Sequence, residues 1–211
     1  MSLVIRAAGP NPSLKLTRYS ACFRGQLSSN VRHHTHRLMR IEIRPYLPED
    51  DLDAITDLIH RAYAPHLAIG LRYWATHQPS ADTEKRLLSG VGLIMLADGE
   101  YAGTATVRPP QPNSPVALYR DPAVRSLSQF CVAPEHQGKG LGAGLHRYAT
   151  DVARRSGASV MALDTAMPAL ALIGLYERWG YRVVGRCDWR PDTNYESVVM
   201  AKNLTEAGRA A

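Results

Sequence analysis

Residues 129–145, Gln-Phe-Cys-Val-Ala-Pro-Glu-His-Gln-Gly-Lys-Gly-Leu-Gly-Ala-Gly-Leu, constrain this chain more than any other stretch. A short apolar run stops at Pro134 and gives way to glycines before a helical apolar period resumes at Leu141 and Leu145. Closely spaced Gly140 and Gly142 remove the Cβ atoms that would hold a ligand off the backbone. The unpaired N–H groups of a first helical turn then face outward at the positive end of the helix dipole, which makes an anion cradle. A Walker loop would need Ser or Thr after the lysine, and Lys139 is followed by Gly140. A dinucleotide-binding turn is formally supplied by Gly138, Gly140 and Ala143, with Asp164 downstream for a ribose. That turn should follow its strand at once, yet five residues separate Val132 from Gly138.

A third reading fits the spacing. The run Gln137-Gly138-Lys139-Gly140-Leu141-Gly142 resembles the Q/R-x-x-G-x-G/A pyrophosphate loop of the GNAT superfamily, the acyl-CoA-dependent N-acyltransferases. Val132-Ala133-Pro134-Glu135 looks like that family's strand exit, and Leu175-Tyr176-Glu177-Arg178-Trp179-Gly180-Tyr181 like its downstream L-Y-E-x-x-G-F/Y signature. The two motifs in order form a specific pair, and the resemblance covers residues 39–204.

The remaining pattern agrees with such a domain. Ile41 and Ile43 alternate with charges as a strand, and Asp50-Asp51 open a helix whose Leu52, Ile55, Ile59 and Ala62 share a face, with Pro65 expected to end it. A second helical piece closes at Gly90. Residues 91–97 and 101–107 around Asp98-Gly99 form a hairpin. A strand over 124–132, a helix from Leu141 to Gly157, a strand over 160–163, a helix from Pro168 to Trp179 and strands over 181–185 and 195–202 follow. The order β-α-α-β-β-β-α-β-α-β-β implies an α/β fold with a mixed, mainly antiparallel sheet and helices on both faces.

Charge is distributed unevenly. Residues 1–38 hold six basic residues and no acid; the other 19 basic residues are balanced by 19 acidic ones. The basic segment lacks an apolar period and reads as a disordered tail without function, with a transit peptide, a metal-binding His33-His34-His36 cluster or nucleic-acid contact as lesser readings. Residues 205–211 read as a short C-terminal tail. The neutral folded part offers no reason for nucleic-acid binding. Cys22, Cys131 and Cys187 have neither disulfide-framework nor zinc spacing, which fits a reducing cytoplasm. No apolar run reaches the roughly 18 residues a membrane span needs.

The resemblance implies that strands 127–132 and 160–165 splay apart and take the pantetheine arm of acetyl-CoA between them. Backbone of Phe130 and Val132 would meet the pantetheine and thioester, while N–H groups of Gln137, Gly138, Lys139, Gly140, Leu141 and Gly142 would hold the diphosphate. Lys139 would add charge or stand solvated. No metal is implied. Tyr176 is the expected acid for the departing thiolate, since a phenol of pKa about 10 keeps its proton at neutral pH. Deprotonating a lysine-like amine at pH 7 costs about 4 to 5 kcal/mol. The strand over 124–132 carries Ser126, Ser128 and Gln129 but no carboxylate. Either water held by Gln129 or Asp164 on the next strand would then serve as base, the alternative for Asp164 being a helix cap. Ala169 replaces an asparagine common in the family. His136 and His146 are expected at the surface, and the aromatics of 63–77 either in the core or in an acceptor pocket.

The expected activity is acetyl transfer from acetyl-CoA to a primary amine, on a small molecule or a peptide, by direct attack in a ternary complex of a monomer or homodimer. The rival from another class is a non-catalytic CoA-sensing or interaction module.

Overall fold

A computed structural model describes residues 19–23 and 39–205. Among the described residues eight strands form one sheet in the order β1-β2-β3-β4-β5-β6-β8-β7. They are β1 (Tyr19–Phe23), β2 (Met39–Pro45), β3 (Val91–Ala97), β4 (Glu100–Arg108), β5 (Val124–Val132), β6 (Val160–Ala166), β7 (Arg182–Asp188) and β8 (Glu196–Asn203). Four helices, α1 (Leu52–Ala68), α2 (Ser80–Leu88), α3 (Leu141–Arg155) and α4 (Leu170–Arg178), complete the expected order. The pairing is antiparallel throughout, except that β5 and β6 run parallel.

Strand alternation sorts the core onto the two faces. Leu93 and Met95 of β3 join Leu145, Tyr148, Ala149 and Val152 of α3 on one side. The intervening Ile94 joins Ile55, Leu58, Ile59 and Ala62 of α1 on the other. Burial of each leucine, isoleucine, valine or methionine among them stabilises by about 1.5–3 kcal/mol, so both helix layers are held mainly by their apolar stripes. Asp51 caps α1, its carboxylate accepting from Ala54 N–H at 3.0 Å.

Three expectations change. Tyr19–Phe23, in the segment read as disordered, pairs antiparallel with β2 as the edge strand. The rest of residues 1–38, with the His33-His34-His36 cluster, and residues 206–211 lie outside the described part. Pro65 does not end α1, which continues to Ala68. The hydrogen bond that proline removes would have gone to Arg61 C=O, on an exposed residue where water replaces it.

The third change concerns His146, which is buried rather than at the surface. Its ring stacks on Trp179 at 4.5 Å between centroids, and Nε2 lies 3.0 Å from Tyr181 Oη. Burial, with a smaller push from Lys202, lowers its pKa to about 3. An unfolded chain takes up this proton below about pH 6.5 while the fold refuses it, so stability is intact above that pH and declines as pH falls towards 3. At pH 5 the expected loss is about 2 kcal/mol relative to pH 6.5. Urea midpoints should show a shallower acid decline in His146→Gln; equal slopes in both proteins would reject the assignment.

Candidate active site

β5 and β6 pair over only three positions, Val124 with Val160, Arg125 with Met161 and Ser126 with Ala162. Beyond them β5 keeps β4 as its neighbour while β6 runs along β8, and a wedge opens between them. The cleft is about 1070 Å³, and its lining includes β5, β6, the α3 entry, α4 and the aromatics of α1 and the following loop.

Along β5 the register shifts at Gln129 and Phe130, which together face Ala105 of β4. Gln129 takes φ = 51°, a bulge geometry rare for a side-chain-bearing residue. After the bulge Ala133 N–H donates to Ala102 C=O of β4. The alternation of strand polar groups therefore turns Val132 and Phe130 towards the wedge. Their carbonyls each already accept one bond, Phe130 from Tyr63 Oη at 3.0 Å and Val132 from Gln137 Nε2 at 2.9 Å. Their N–H groups are the remaining polar atoms on that edge.

The glycine loop closes one end of the wedge. A 3-10 turn, Pro134–His136, separates it from β5, which accounts for the five-residue spacing that disfavours a dinucleotide turn. Gly138 and Gly140 have φ of 71° and 80°, and Gly140 is the N-cap of α3. This backbone turns consecutive N–H groups outward, and nothing lies within 4 Å of where a Cβ on Gly138 would stand. The open concavity with a helix N-terminus behind it fits a diphosphate. Gln137 departs from expectation, because its N–H donates to Pro134 C=O and its side chain braces Val132. The Leu141 side chain is buried in the core, leaving only its N–H for a ligand, and Lys139 is exposed beside the cleft rather than among its lining residues. A Cβ on Gly142 would contact Val132, Trp179 and Phe130 at 3.6–4.0 Å, so this residue backs onto the apolar floor.

Tyr176 and Asp164 line the same cleft. Tyr176 sits in the last turn of α4, its ring edge-on to Trp179 and Tyr181 at 5.8 Å. The helix stops at Gly180 with Gly180 N–H bonded to Glu177 C=O and Tyr181 N–H to Tyr176 C=O, a closure that locks this turn. Burial raises the Tyr176 pKa well above that of a free phenol, so the hydroxyl stays protonated. Ala169 is the α4 N-cap and offers no side-chain cap bond. Asp164 is no helix cap: Oδ1 accepts from Tyr119 Oη at 2.7 Å and Oδ2 from Trp189 Nε1 at 2.9 Å. Burial raises its pKa against the opposing pull of these two bonds and of Arg86 and Arg108. Gln129 is buried, with Oε1 accepting from Gln78 Nε2 at 3.2 Å and Nε2 without a protein partner.

Of the aromatics of residues 63–77, Tyr63 and His66 of α1 and Tyr73 and Trp74 of the following loop line the cleft, whereas His77 does not. Tyr73 bridges to β6 through Thr165 Oγ1 at 3.0 Å and packs on Tyr195 at 4.9 Å. Tyr119, Trp189, Arg86 and Arg108 were not singled out by the sequence. Arg86, Arg108 and Trp189 reach the cleft from separate elements, Tyr119 reaches only Asp164 behind it, and no local motif marks any of them. Among the described residues no group of three or more His, Cys, Asp or Glu side chains is arranged to hold a metal ion, and no helix is long and apolar enough to cross a membrane.

The profile of the Acetyltransferase (GNAT) family matches residues 52–181. The S-(2-succino)cysteine N-acetyltransferase of Bacillus subtilis is 30% identical over 158 residues, covering 74% of this chain and 92% of the relative. The streptothricin acetyltransferase of Streptomyces lavendulae is 33% identical over 104 residues, 49% of this chain and 48% of that enzyme. Among solved structures, the Escherichia coli ribosomal-protein-S18-alanine N-acetyltransferase superposes with a TM-score of 0.59 at 20% identity, over 81% of this chain and 98% of its own. The Salmonella typhimurium protein yncA, solved with its cofactor acetyl-CoA, has a TM-score of 0.56 at 25% identity, over 81% and 98%. The family profile, spanning the glycine loop and Tyr176, joins the splayed sheet in one assignment: the chain belongs to the GNAT family of acyl-CoA-dependent acetyltransferases.

Proposed function

We propose that the protein acetylates a primary amine of a small molecule in a ternary complex, with Asp164 as general base and Tyr176 as general acid. The observation that carries this reading is the placement of a half-buried carboxyl on β6 and a buried phenol on α4 in one cleft with the β5 bulge. Both curated relatives are named for small-molecule acceptors, which favours that class over a protein lysine.

Acetyl-CoA supplies the acetyl group as a thioester. N–H groups of Gly138, Lys139, Gly140, Leu141 and Gly142 face its diphosphate, and those of Phe130 and Val132 its pantetheine and thioester. Asp164, with its carboxyl pKa raised by burial, is a stronger base than a solvated aspartate, and Tyr119 and Trp189 fix its orientation. Where the amine does not touch Asp164 directly, water in the cleft relays the proton, and not water held by Gln129 Nε2, which is shut off from solvent. Tyr176 keeps its proton at Oη until a thiolate develops.

The deciding experiment measures thiol release with acetyl-CoA and a panel of amines. In the wild type, kcat/KM should rise with pH through a carboxyl pKa above the ordinary aspartate range. Asp164→Asn should lose that limb together with about 10²- to 10⁴-fold in rate. Acetyl-CoA affinity should hold. An unchanged rate and pH profile in the variant would move the base function to water alone, and absence of thiol release with every amine would reject the transfer reading.

A further inference from the structure

Two arginines stand in this cleft with no contact ion pair among the described residues. Arg86 lies in the last turn of α2 and Arg108 ends β4, and both line the cavity. The Nε atoms of both are shut off from solvent and lack a hydrogen-bond partner. Among the described residues neither guanidinium comes within ion-pair distance of a carboxylate. The fold forces their elements together: Gly90, just beyond α2, lies so close to β4 that an added Cβ would stand 2.2 Å from Val107 O and 2.8 Å from Arg108 Cα. Burial lowers the pKa of each, and the charge of Arg86 lowers that of Arg108 further. Two like charges brought together in a partly dry cavity call for an anion between them.

That anion is not the donor's diphosphate. Arg108 pairs with Ser126, six residues before Val132, and an extended strand of that length puts it about 20 Å from the glycine loop. Asp164 attracts both arginines from a distance but forms a contact ion pair with neither, its oxygens accepting from Tyr119 and Trp189. Lys85 adds a further positive charge to the lining, while Asp82, which acts on Arg86 from a distance, and Asp192 form no contact ion pair with either arginine among the described residues. Planar guanidinium groups match a carboxylate through paired N–H donors.

We infer that the acceptor amine carries a carboxylate, held by Arg86 and Arg108 at the end of the cleft where β5 and β6 join, so that the substrate is an amino acid or an amino dicarboxylate. The inference rests on the cleft being the acetyl-transfer site described above. An amino group on the same molecule then points along β6 towards Asp164. A polyamine meets two cations at that place and is repelled.

The test compares amino acids with their neutral amides, and with spermidine, in the thiol-release assay on the full chain. Aspartate, glutamate and S-carboxymethylcysteine should exceed their amides in kcat/KM by about 10- to 200-fold, the span expected for hydrogen bonds to a charged group. Arg86→Gln and Arg108→Gln should each bring that ratio towards one, chiefly through KM of the acid. Calorimetry with aspartate alone supplies a readout independent of transfer: it should bind the wild type and bind either variant at least 10-fold more weakly. Aspartate binding that depends on the arginines, without thiol release from any amine, would reject the transfer reading and keep the anion site. Preference for spermidine or the amides, or an acid-to-amide ratio unchanged in both folded variants, would overturn the inference.

Discussion

Replacing Tyr176 with phenylalanine is expected to lower turnover by roughly 10- to 1,000-fold while leaving acetyl-CoA affinity and melting temperature near those of the wild type. The ring contacts to Trp179 and Tyr181 survive the change. The packing that holds the ring is unchanged, so the fold loses little. What disappears is a proton held ready by a phenol that burial keeps neutral. A donor whose thiol has a much lower pKa needs less protonation as it leaves, so the ratio of wild-type to variant rates should shrink with that donor. Equal rates across donors, with chemistry shown to limit turnover, would return Tyr176 to a packing role and leave water as the acid.

Gly140→Val should weaken acetyl-CoA binding by about 10- to 200-fold, the loss expected when one or two hydrogen bonds to a charged phosphate are displaced. Gly140 has φ = 80°, where a β-branched residue is strained by about 1–3 kcal/mol. The chain relieves that strain by rotating the loop, which turns the N–H groups at the start of α3 away from their common focus. Gly140 is exposed and Leu141 anchors the helix from below, so the damage stays local. Calorimetry with acetyl-CoA checks the affinity and a thermal melt checks the fold. Unchanged affinity in a folded variant would remove the loop from the site.

How far the sequence revealed these features follows from the range of the forces involved. The glycine loop, the Asp98-Gly99 hairpin and the amphipathic stripes of α1 and α3 are written in neighbouring residues, and they stand where the pattern put them. Tyr176 was legible because the residues that lock its turn, Gly180 and Tyr181, follow it at once. Asp164 was legible only as a residue, since its partners Tyr119 and Trp189 lie 45 and 25 positions away and meet it through the sheet. Arg86 and Arg108 left no mark at all, because an unpaired charge becomes unusual only after folding excludes water and counterions from it. His146 was misread for a related reason. A histidine beside the core-facing Leu145 looks solvated until Trp179 and Tyr181 arrive from the far end of the chain.

The three residue pairs that join β5 to β6 act as a fulcrum. With a lever arm of about 20 Å from Ser126 to Val132, each degree of rotation between the two halves of the sheet moves the glycine-loop end by about 0.35 Å, whereas Arg108 at the fulcrum scarcely shifts. Any rotation about this joint would therefore widen the slot at its glycine-loop end. The arginine end keeps its dimensions throughout, as a gauge against which the acceptor is measured.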